Sequence, residues 1–219
     1  MKRVYDLEDT IRQRRSSRMF LPDPVPRQLV EESLELAMHA PSNSNVQPWQ
    51  VVFTSGGARD RLVSAMLAQA RSEPPRVPQL PPAFAHLRRE LGAQVYGSMG
   101  IARDDAAARQ EAVLRNWEFF RAPLGGVVFM HQDLDVVDSM GVGMFLQNLL
   151  LALTARGLGT CVQVSIAGYP EIVRKQLGIA ADMRILCGLA VGYPDPDFPA
   201  NSLRIGRDSL DKHAVFLDE

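Results

Sequence analysis

The alternation of hydrophobic and polar residues along this chain predicts helices and short strands in turn. Residues 26–40 place apolar side chains on one stripe opposite three glutamates, as in an amphipathic helix. Residues 49–54 are rich in β-branched and aromatic side chains and lie between Pro48 and Gly56, which is typical of a strand. The same reasoning predicts helices at residues 6–15, 58–71, 84–96, 104–121 and 139–156, and strands at residues 124–130, 159–164 and 184–191.

Strands separated by helices indicate a layered α/β or α+β domain, although the strand order cannot be read from the pattern. No linker or repeat divides the chain, which favours a single domain over residues 1–219. Five prolines between Glu73 and Pro82 exclude regular structure there. We therefore expect residues 72–121 to form a helical excursion from the core, and residues 194–219 to form an irregular C-terminal arm.

The stretch from Met140 to Leu153 is apolar nearly all round. A helix of this kind is buried, and a second subunit could cover part of it. At this length it is too short to cross a bilayer, and the N-terminal residues lack the apolar core of a signal peptide. These features predict a cytoplasmic protein without a membrane segment.

Composition narrows the function classes. The 24 Lys and Arg residues nearly balance the 25 Asp and Glu residues, so no overall field attracts nucleic acid. The two cysteines, Cys161 and Cys187, lie in apolar stretches, which excludes a disulfide scaffold and fits a reducing compartment. The four histidines are scattered without carboxylate or cysteine at metal-ligand spacing, so we assign no metal site.

A basic cluster, Arg12, Arg14, Arg15 and Arg18 with Ser16 and Ser17, follows the first predicted helix. Arginine is favoured at a helix C-terminus by the macrodipole, so this could be a solvated helix end. Alternatively, guanidinium forks and hydroxyl groups this close together could hold a phosphate or an anionic heterocycle.

The loop before the first strand also permits two interpretations. Residues 40–49 read Ala-Pro-Ser-Asn-Ser-Asn-Val-Gln-Pro-Trp. Proline, serine and asparagine are common in polar turns, so the loop could be only a connection. It is also a stiff loop with many hydrogen-bonding side chains, and rigid loops on a scaffold often bind ligands.

Together these two segments strongly resemble the opening of the FMN-dependent nitroreductase family. The resemblance continues through Gly157-Leu158-Gly159, Ser165–Tyr169 and Gly188–Pro194 to Asn201–Arg207, and it is weakest between residues 72 and 121. It implies an α+β nitroreductase-like fold, with a central, mostly antiparallel sheet wrapped by helices in an intertwined homodimer. It also implies FMN bound at the subunit interface, NADH or NADPH as reductant, and a small-molecule electron acceptor.

The resemblance also implies roles for individual residues. Arg14, Ser16 and the neighbouring Arg15 would hold the phosphate and ribityl end of FMN, and Arg18 would lie near the pyrimidine edge of the ring. The backbone of Ala167 and Gly168 would approach flavin N5, the atom that exchanges hydride. One branch of the family carries Glu at the position of Ala167, so a side-chain role there is in doubt.

Two further groups of residues complete the implied cofactor site. Arg204 and Arg207 match the basic residues that reach the FMN phosphate from the C-terminal end of the chain. The alternative interpretation is that both are ordinary surface arginines without a ligand. The loop that the partner subunit would contribute to the flavin contains Pro41, Ser42, Asn43, Asn45 and Gln47.

The excursion contains aromatic residues that helix packing would largely explain, and we expect Tyr96 or Met99 to line the acceptor pocket. The leading hypothesis is an NAD(P)H oxidoreductase that reduces nitroaromatics or quinones by ping-pong hydride transfer through flavin N5. Alternatives keep the fold and flavin but perform dehalogenation, dehydrogenation or flavin cleavage, or bind flavin without turnover. A helical dimerisation module without a cofactor is a further alternative.

Overall fold

A computed structural model describes residues 6–218 of the chain. Residues 1–5 and 219 lie outside the described residues. The first five residues of the predicted single domain and the last residue of the predicted C-terminal arm are therefore not described. The helices are α1 Leu7–Gln13, α2 Arg27–Ala37, α3 Gly56–Ser72, α4 Ala85–Ser98, α5 Ala106–Leu114, α6 Val136–Ala155 and α7 Pro170–Leu177. The strands are β1 Gln50–Ser55, β2 Leu124–His131, β3 Gly159–Gln163 and β4 Met183–Gly192.

The four strands form one sheet in the order β1-β2-β4-β3, and every neighbouring pair is antiparallel. Val127 lies opposite Val52 on one side and Gly188 on the other, and Val162 lies opposite Leu189. All four predicted strands are present with bounds within two residues of the prediction. The antiparallel sheet and its helices have the predicted α+β architecture.

Helices cover both faces of the sheet because both faces carry apolar side chains. Val127 and Phe129 of β2 point into one core, which includes side chains of α3, α5 and α7. Val128 and Met130 point into the opposite core, against α2 and α6. Alternate residues of β2 thus serve different cores, which explains why the strand is an almost continuous apolar run.

Helix α6 is longer than the predicted apolar stretch. It begins after Asp135, which forms a reciprocal capping box with Asp138. Its 20 residues correspond to about 30 Å, so among residues 6–218 it is the one helix with the length and apolar composition of a membrane span. The prediction that it is too short was wrong. Phe145, Leu149 and Leu153 are nevertheless buried in the core beside the sheet, as in the core helix of a globular protein.

Burial of α6 is confined to part of its surface. Val136, Val137, Met140 and Met144 are exposed in the single chain. The expectation of a buried helix therefore holds only for the side that faces the sheet and α2.

The predicted helix over residues 104–121 ends early, at Leu114. Phe119, Phe120 and Arg121 have φ between 52° and 64°, in the left-handed region, so the helix cannot continue through them. Trp117 and both phenylalanines are buried in the core. Tertiary burial of these rings decides the turn, and packing accounts for these aromatic residues of the excursion, as expected.

Helix α7 was not predicted. The sequence nevertheless carries two local signals for this helix. Pro170 occupies the first helical turn, and Gly178 ends the helix with φ 67°. The rest of the excursion lies largely outside the core, since Val95 is the one buried residue of α4.

Candidate functional site

A cavity of about 500 Å³ lies where the first helix meets the C-terminal arm. We call it the arginine cavity; its lining residues are Ile11, Arg12, Arg14, Arg15, Ser16, Arg18, Gln147, Leu203, Arg204, Ile205 and Arg207. The structure thus brings together six of the predicted residues. Four belong to the basic segment, Arg14, Arg15, Ser16 and Arg18, and two belong to the C-terminal arm, Arg204 and Arg207. Residues separated by nearly 190 positions share this one cavity.

The backbone of the basic segment is fixed against β3. Ser16 and Thr160 form a parallel bridge, and the Ser17 amide donates to the Thr160 carbonyl at 2.9 Å. Gly159 allows this approach, because a Cβ there would lie 2.7 Å from Ser17 Oγ and 2.4 Å from Pro194 Cγ. The arginines therefore project from a segment that the sheet itself positions.

Asn201 joins this segment to the C-terminal arm. Its side chain is 4% exposed; Oδ1 accepts from the Arg18 amide at 2.6 Å, and Nδ2 donates to the carbonyls of Met19 and Asp195, each at 2.8 Å. Its own carbonyl accepts from Arg15 Nε at 2.9 Å. One buried amide thereby sets the distance between the basic segment and the residues that lead to Arg204.

Positive charge in the cavity is poorly compensated. Arg12 pairs with Glu8 at 2.9 Å, but among residues 6–218 no salt bridge joins Arg14, Arg204 or Arg207 to a carboxylate. The side chains of Arg204 and Arg207 bond only to backbone oxygens of their own loop, through Nη1. Each guanidinium has five N–H groups, so most donors remain available.

This donor set fits a phosphate monoester. The guanidinium groups of Arg14, Arg204 and Arg207 can form charge-assisted hydrogen bonds to a dianion, the Ser16 hydroxyl can supply a further one, and no acidic side chain lines the described cavity. The chemistry is that required by the phosphate end of FMN. The individual assignments of Arg14, Arg15, Ser16, Arg18, Arg204 and Arg207 as FMN ligands remain predictions.

Arg18 lies between this cavity and two others. It lines a small cavity of about 100 Å³ with Tyr96, Met99 and Phe198, and a larger groove along α4. The two residues predicted to line the acceptor pocket therefore lie together, next to the arginine predicted to contact the flavin ring. Within this small cavity Arg115 also lies with its guanidinium carbon 5.6 Å from the centre of the Phe198 ring.

The predicted partner loop lies elsewhere on the single chain. Pro41, Asn43, Asn45 and Gln47 are exposed, and none lines the arginine cavity. Ser42 Oγ accepts from the Gln47 amide at 3.0 Å and its Cβ lies 3.2 Å from the position of a Cβ on Gly141 of α6. The loop is thus anchored beside the exposed part of α6.

The predicted backbone pair Ala167 and Gly168 is likewise separate from the arginine cavity. It ends a 3₁₀ segment, Val164–Gly168, that follows β3. Gly168 is buried beneath the proline-rich segment, since a Cβ on it would lie 2.6 Å from Pro75 Cβ, and its carbonyl accepts from the Arg76 amide at 3.1 Å. A glycine is required here by close packing.

Two residues of the site were not singled out from sequence. Asn201 was noted only as part of a family motif, and its role depends on bonds across more than 180 positions. Gln147 lines the cavity from α6. A polar side chain within an otherwise apolar helix was the signal that could have identified it.

Both cysteines are free and buried. Burial raises the pKa of Cys161 to about 11. The positive charges of Arg18 and Arg14, together with a side-chain hydrogen bond with Ser16, act to lower this pKa but do not outweigh burial. Burial alone raises the pKa of Cys187 to about 12. Both thiols are therefore protonated and inert at neutral pH. Over residues 6–218 no group of three or more His, Cys, Asp or Glu side chains is placed to hold a metal ion.

Comparison with known proteins adds independent evidence. The Nitroreductase family profile matches residues 11–193. The chain is 34% identical over 221 residues to a nitrobenzene nitroreductase of Ectopseudomonas oleovorans, covering 97% of both chains. It is 36% identical over 218 residues to a 4-nitrobenzoate reductase of Pseudomonas putida, covering 97% of this chain and 96% of the relative.

A solved structure has the same fold. The FMN-dependent nitroreductase NfnB from Mycobacterium smegmatis, crystallised in complex with NADPH, superposes with a TM-score of 0.90 at 34% identity. The match covers 96% of this chain and 97% of that one. The expected fold and family are confirmed.

Proposed function

Because this chain belongs to the nitroreductase family, we propose that it is an FMN-dependent oxidoreductase that uses NADPH to reduce nitroaromatic compounds. The observation that carries the proposal is the arginine cavity, which gathers guanidinium groups without an acidic residue in its described lining and connects through Arg18 to the small cavity of Tyr96 and Met99. Similar proteins named for nitrobenzene and 4-nitrobenzoate indicate the acceptor class.

The cavity residues bind and orient the cofactor. Arg14, Arg15, Ser16, Arg204 and Arg207 hold the FMN phosphate and ribityl chain, because they supply charged donors around one space. Bound FMN supplies a reversible two-electron redox centre, which this chain's own side chains do not provide.

Arg18 connects binding to chemistry. Its amide is held by Asn201 and its Nη1 donates to the Ser16 carbonyl at 3.3 Å, so the side chain has a defined direction. A fixed cation beside the flavin pyrimidine edge favours the negatively charged reduced state. In this proposal Arg18 therefore raises the redox potential, while the other arginines retain the cofactor.

A second subunit would complete the site. Val136, Val137, Met140 and Met144 leave an apolar surface exposed on α6, next to the loop of residues 41–47. A homodimer that buries this surface would carry Pro41, Ser42, Asn43, Asn45 and Gln47 to the partner's FMN. We expect sedimentation equilibrium to give a dimer and Met140→Lys with Met144→Lys to weaken both the dimer and FMN retention. A monomeric parent that retains FMN would contradict this arrangement.

Other parts of the proposal rest on the family resemblance. The backbone of Ala167 and Gly168 would approach flavin N5, and Tyr96 and Met99 would contact the acceptor. Quinones are a second acceptor class to be compared with nitroaromatics. A cytoplasmic location is consistent with two buried free thiols and with α6 as a core helix.

Anaerobic titration of the purified yellow protein with NADPH and then NADH tests the function directly. We expect loss of the visible flavin absorbance on adding NADPH, and its return when 4-nitrobenzoate or nitrobenzene is added. Bleaching that only a quinone reverses would exclude nitroaromatics as substrates. Flavin that neither nucleotide bleaches would favour a binding protein without turnover.

FMN retention tests the cofactor assignment separately. Arg204→Ala with Arg207→Ala should weaken FMN binding about 100-fold or more, because charge-assisted hydrogen bonds contribute roughly 1.5–3 kcal/mol each. Lys212→Ala is the matched control on the same arm, since Lys212 is already paired with Asp208 at 3.3 Å. Equal FMN dissociation constants for the two variants would remove Arg204 and Arg207 from the site.

A further inference from the structure

A second basic groove, of about 740 Å³, runs along one face of α4. Arg88, Arg89, Gly92 and Tyr96 line it from α4 at the spacing of one helix face. Arg103, from the loop after α4, and Arg109, from α5, also line it. We call this space the α4 groove. Arg18 lines it too, so the groove opens beside the small cavity of Tyr96 and Met99.

The groove carries positive charge without a counter-charge. Arg18, Arg88, Arg89, Arg103 and Arg109 all line it, and none of its described lining residues is acidic. Within residues 6–218 no salt bridge involves any of the five. Guanidinium groups gathered in this way attract an anion, and planar donor forks suit phosphate best.

The groove also contains an aromatic ring, that of Tyr96. The guanidinium carbon of Arg109 lies 4.4 Å from the centre of the Tyr96 ring, a cation–π contact that restrains both side chains. The Tyr96 ring lies back over Gly92, whose Cβ position is 3.7 Å from Tyr96 Cε2. Gly92, without a side chain, leaves room for the ring on the face that also carries Arg88.

Distance along the helix distinguishes between possible anions. Arg88 precedes Tyr96 by eight residues, which is about 12 Å along the helix axis. The carboxylate of a nitrobenzoate lies only one benzene ring from its nitro group, which is shorter than this distance along the helix. In NADPH, two riboses and two phosphates separate the nicotinamide from the 2′-phosphate, which gives the necessary length.

We propose that Arg88 and Arg89 bind the 2′-phosphate of NADPH and so make this chain prefer NADPH to NADH. The proposal rests on the proposed function, because it assigns a binding site to the reductant of that reaction. Arg109, whose guanidinium carbon lies 4.4 Å from the centre of the Tyr96 ring, faces the part of the dinucleotide that both nucleotides share. Selection between nucleotides is thus made on the excursion, away from the arginine cavity.

The experiment compares the parent, Arg88→Ala with Arg89→Ala, and the matched surface variant Arg71→Ala on α3. Steady-state kcat/KM is measured with NADPH and with NADH at fixed 4-nitrobenzoate and low salt. We expect the double variant to lose about tenfold or more with NADPH and less than about twofold with NADH. Arg71→Ala should leave both values unchanged.

Binding provides a readout independent of turnover. Calorimetry on the FMN-loaded protein should show that adenosine 2′,5′-bisphosphate binds about tenfold or more weakly to the double variant than to the parent. Adenosine 5′-monophosphate, which lacks the 2′-phosphate, should bind equally to both. Loss of affinity for both nucleotides, or for neither, would overturn the assignment.

The kinetic outcomes separate this proposal from the function on which it rests. If the parent is bleached by neither nucleotide, the proposed function fails. If the parent reduces nitrobenzoate but the double variant keeps the parent's NADPH-to-NADH ratio, only the present inference fails. A selective loss with 4-nitrobenzoate but not nitrobenzene, at an unchanged nucleotide ratio, would instead identify the groove as a site for acceptor carboxylates.

Discussion

The arginine cavity and the α4 groove have similar chemistry but are built differently. Backbone hydrogen bonds from Ser17 to β3 and the buried side chain of Asn201 fix the first. One face of the mostly exposed helix α4 forms most of the second, with Ile101 and Arg103 of the following loop, Arg109 of α5 and Arg18. A group that must stay bound needs a fixed array of donors, whereas a substrate that arrives and leaves needs attraction without rigid enclosure. The rigid arginine cavity is therefore consistent with tightly bound FMN, and the more open α4 groove is consistent with a nucleotide that binds and dissociates.

The largest expected effect comes from removing the amide that fixes the arginine cavity. Asn201→Ala leaves the Arg18 amide and the Asp195 carbonyl without this partner, while the Met19 carbonyl still accepts from the Asp195 amide at 3.1 Å. We expect a loss of about 2 kcal/mol or more in the free energy of unfolding, because each of these two groups, unsatisfied in a part-buried site, costs roughly 1–3 kcal/mol. Urea denaturation measures this, and desalting measures the accompanying loss of FMN.

Asn201→Asp provides the control for that experiment, since it keeps the acceptor for the Arg18 amide but not the Nδ2 donors. Its second carboxylate oxygen would face the carbonyls of Met19 and Asp195, so we expect it too to destabilise the fold, with the Arg18 amide still paired. Parent-like stability and FMN retention in Asn201→Ala would show that Asn201 does not position the basic segment.

The next largest effect is expected from Gly159→Ala, which tests the contact between the basic segment and β3. Gly159→Ala places a Cβ against Pro194 and Ser17, which must move apart. We expect destabilisation of about 1–3 kcal/mol and weaker FMN binding, as for an overpacked site. Thermal unfolding and FMN titration measure the two effects.

Gly57→Ala is the matched control for Gly159→Ala. Its Cβ would meet only the end of the Arg61 side chain at 3.6 Å, an ordinary contact, in the first turn of α3. It should be neutral or stabilising by up to about 1 kcal/mol. A Gly159→Ala variant as stable as Gly57→Ala would mean that the segment adjusts without loss.

A substitution in the α4 region should change selectivity more than stability. Tyr96→Ala removes the cation–π contact with Arg109 and a wall of the small cavity. Because the contact is partly exposed, we expect less than about 1 kcal/mol of destabilisation and unchanged FMN retention. Relative rates on nitrobenzene, 4-nitrobenzoate and a quinone should shift.

Met99→Ala extends the test of that region, because Met99 lines the same small cavity. If both variants keep the parent's order of acceptors, neither residue selects the acceptor. If either loses FMN as Asn201→Ala does, the distinction between the two regions is wrong.

The smallest effect concerns the thiol beneath the arginine cavity. Cys161 has a pKa raised from 9.0 to about 11, so the unfolded chain loses this proton first as pH rises. Its contribution to stability is complete below pH 9 and is lost as pH increases from 9 to 11. At pH 7.5 we expect slow alkylation of native Cys161 by iodoacetamide, monitored by mass spectrometry.

Cys187, in the opposite core, is the internal reference for that labelling. Opening of the arginine cavity, as in Asn201→Ala, should accelerate labelling of Cys161 more than that of Cys187. Fast labelling of Cys161 in the parent would contradict a rigid cavity.

The sequence by itself determined the strands and most helices, because their apolar periodicity reflects local geometry and burial. It also identified the residue types of the basic segment, since guanidinium and hydroxyl groups have the same chemistry in any fold. It did not reveal the turn at Phe119–Arg121, where burial of aromatic rings overrides a helical pattern. Helix α7 was missed because its eight residues are too few for a clear period.

Only the tertiary structure decided how these pieces form sites. The strand order β1-β2-β4-β3 places Thr160 beside Ser16, and Asn201 then brings the arm to the same place. The tertiary structure also places Arg18 in the lining of the arginine cavity, the α4 groove and the small cavity of Tyr96 and Met99. Such contacts join residues far apart in the chain, and their energies depend on the packing of the whole sheet, which no local window of sequence contains.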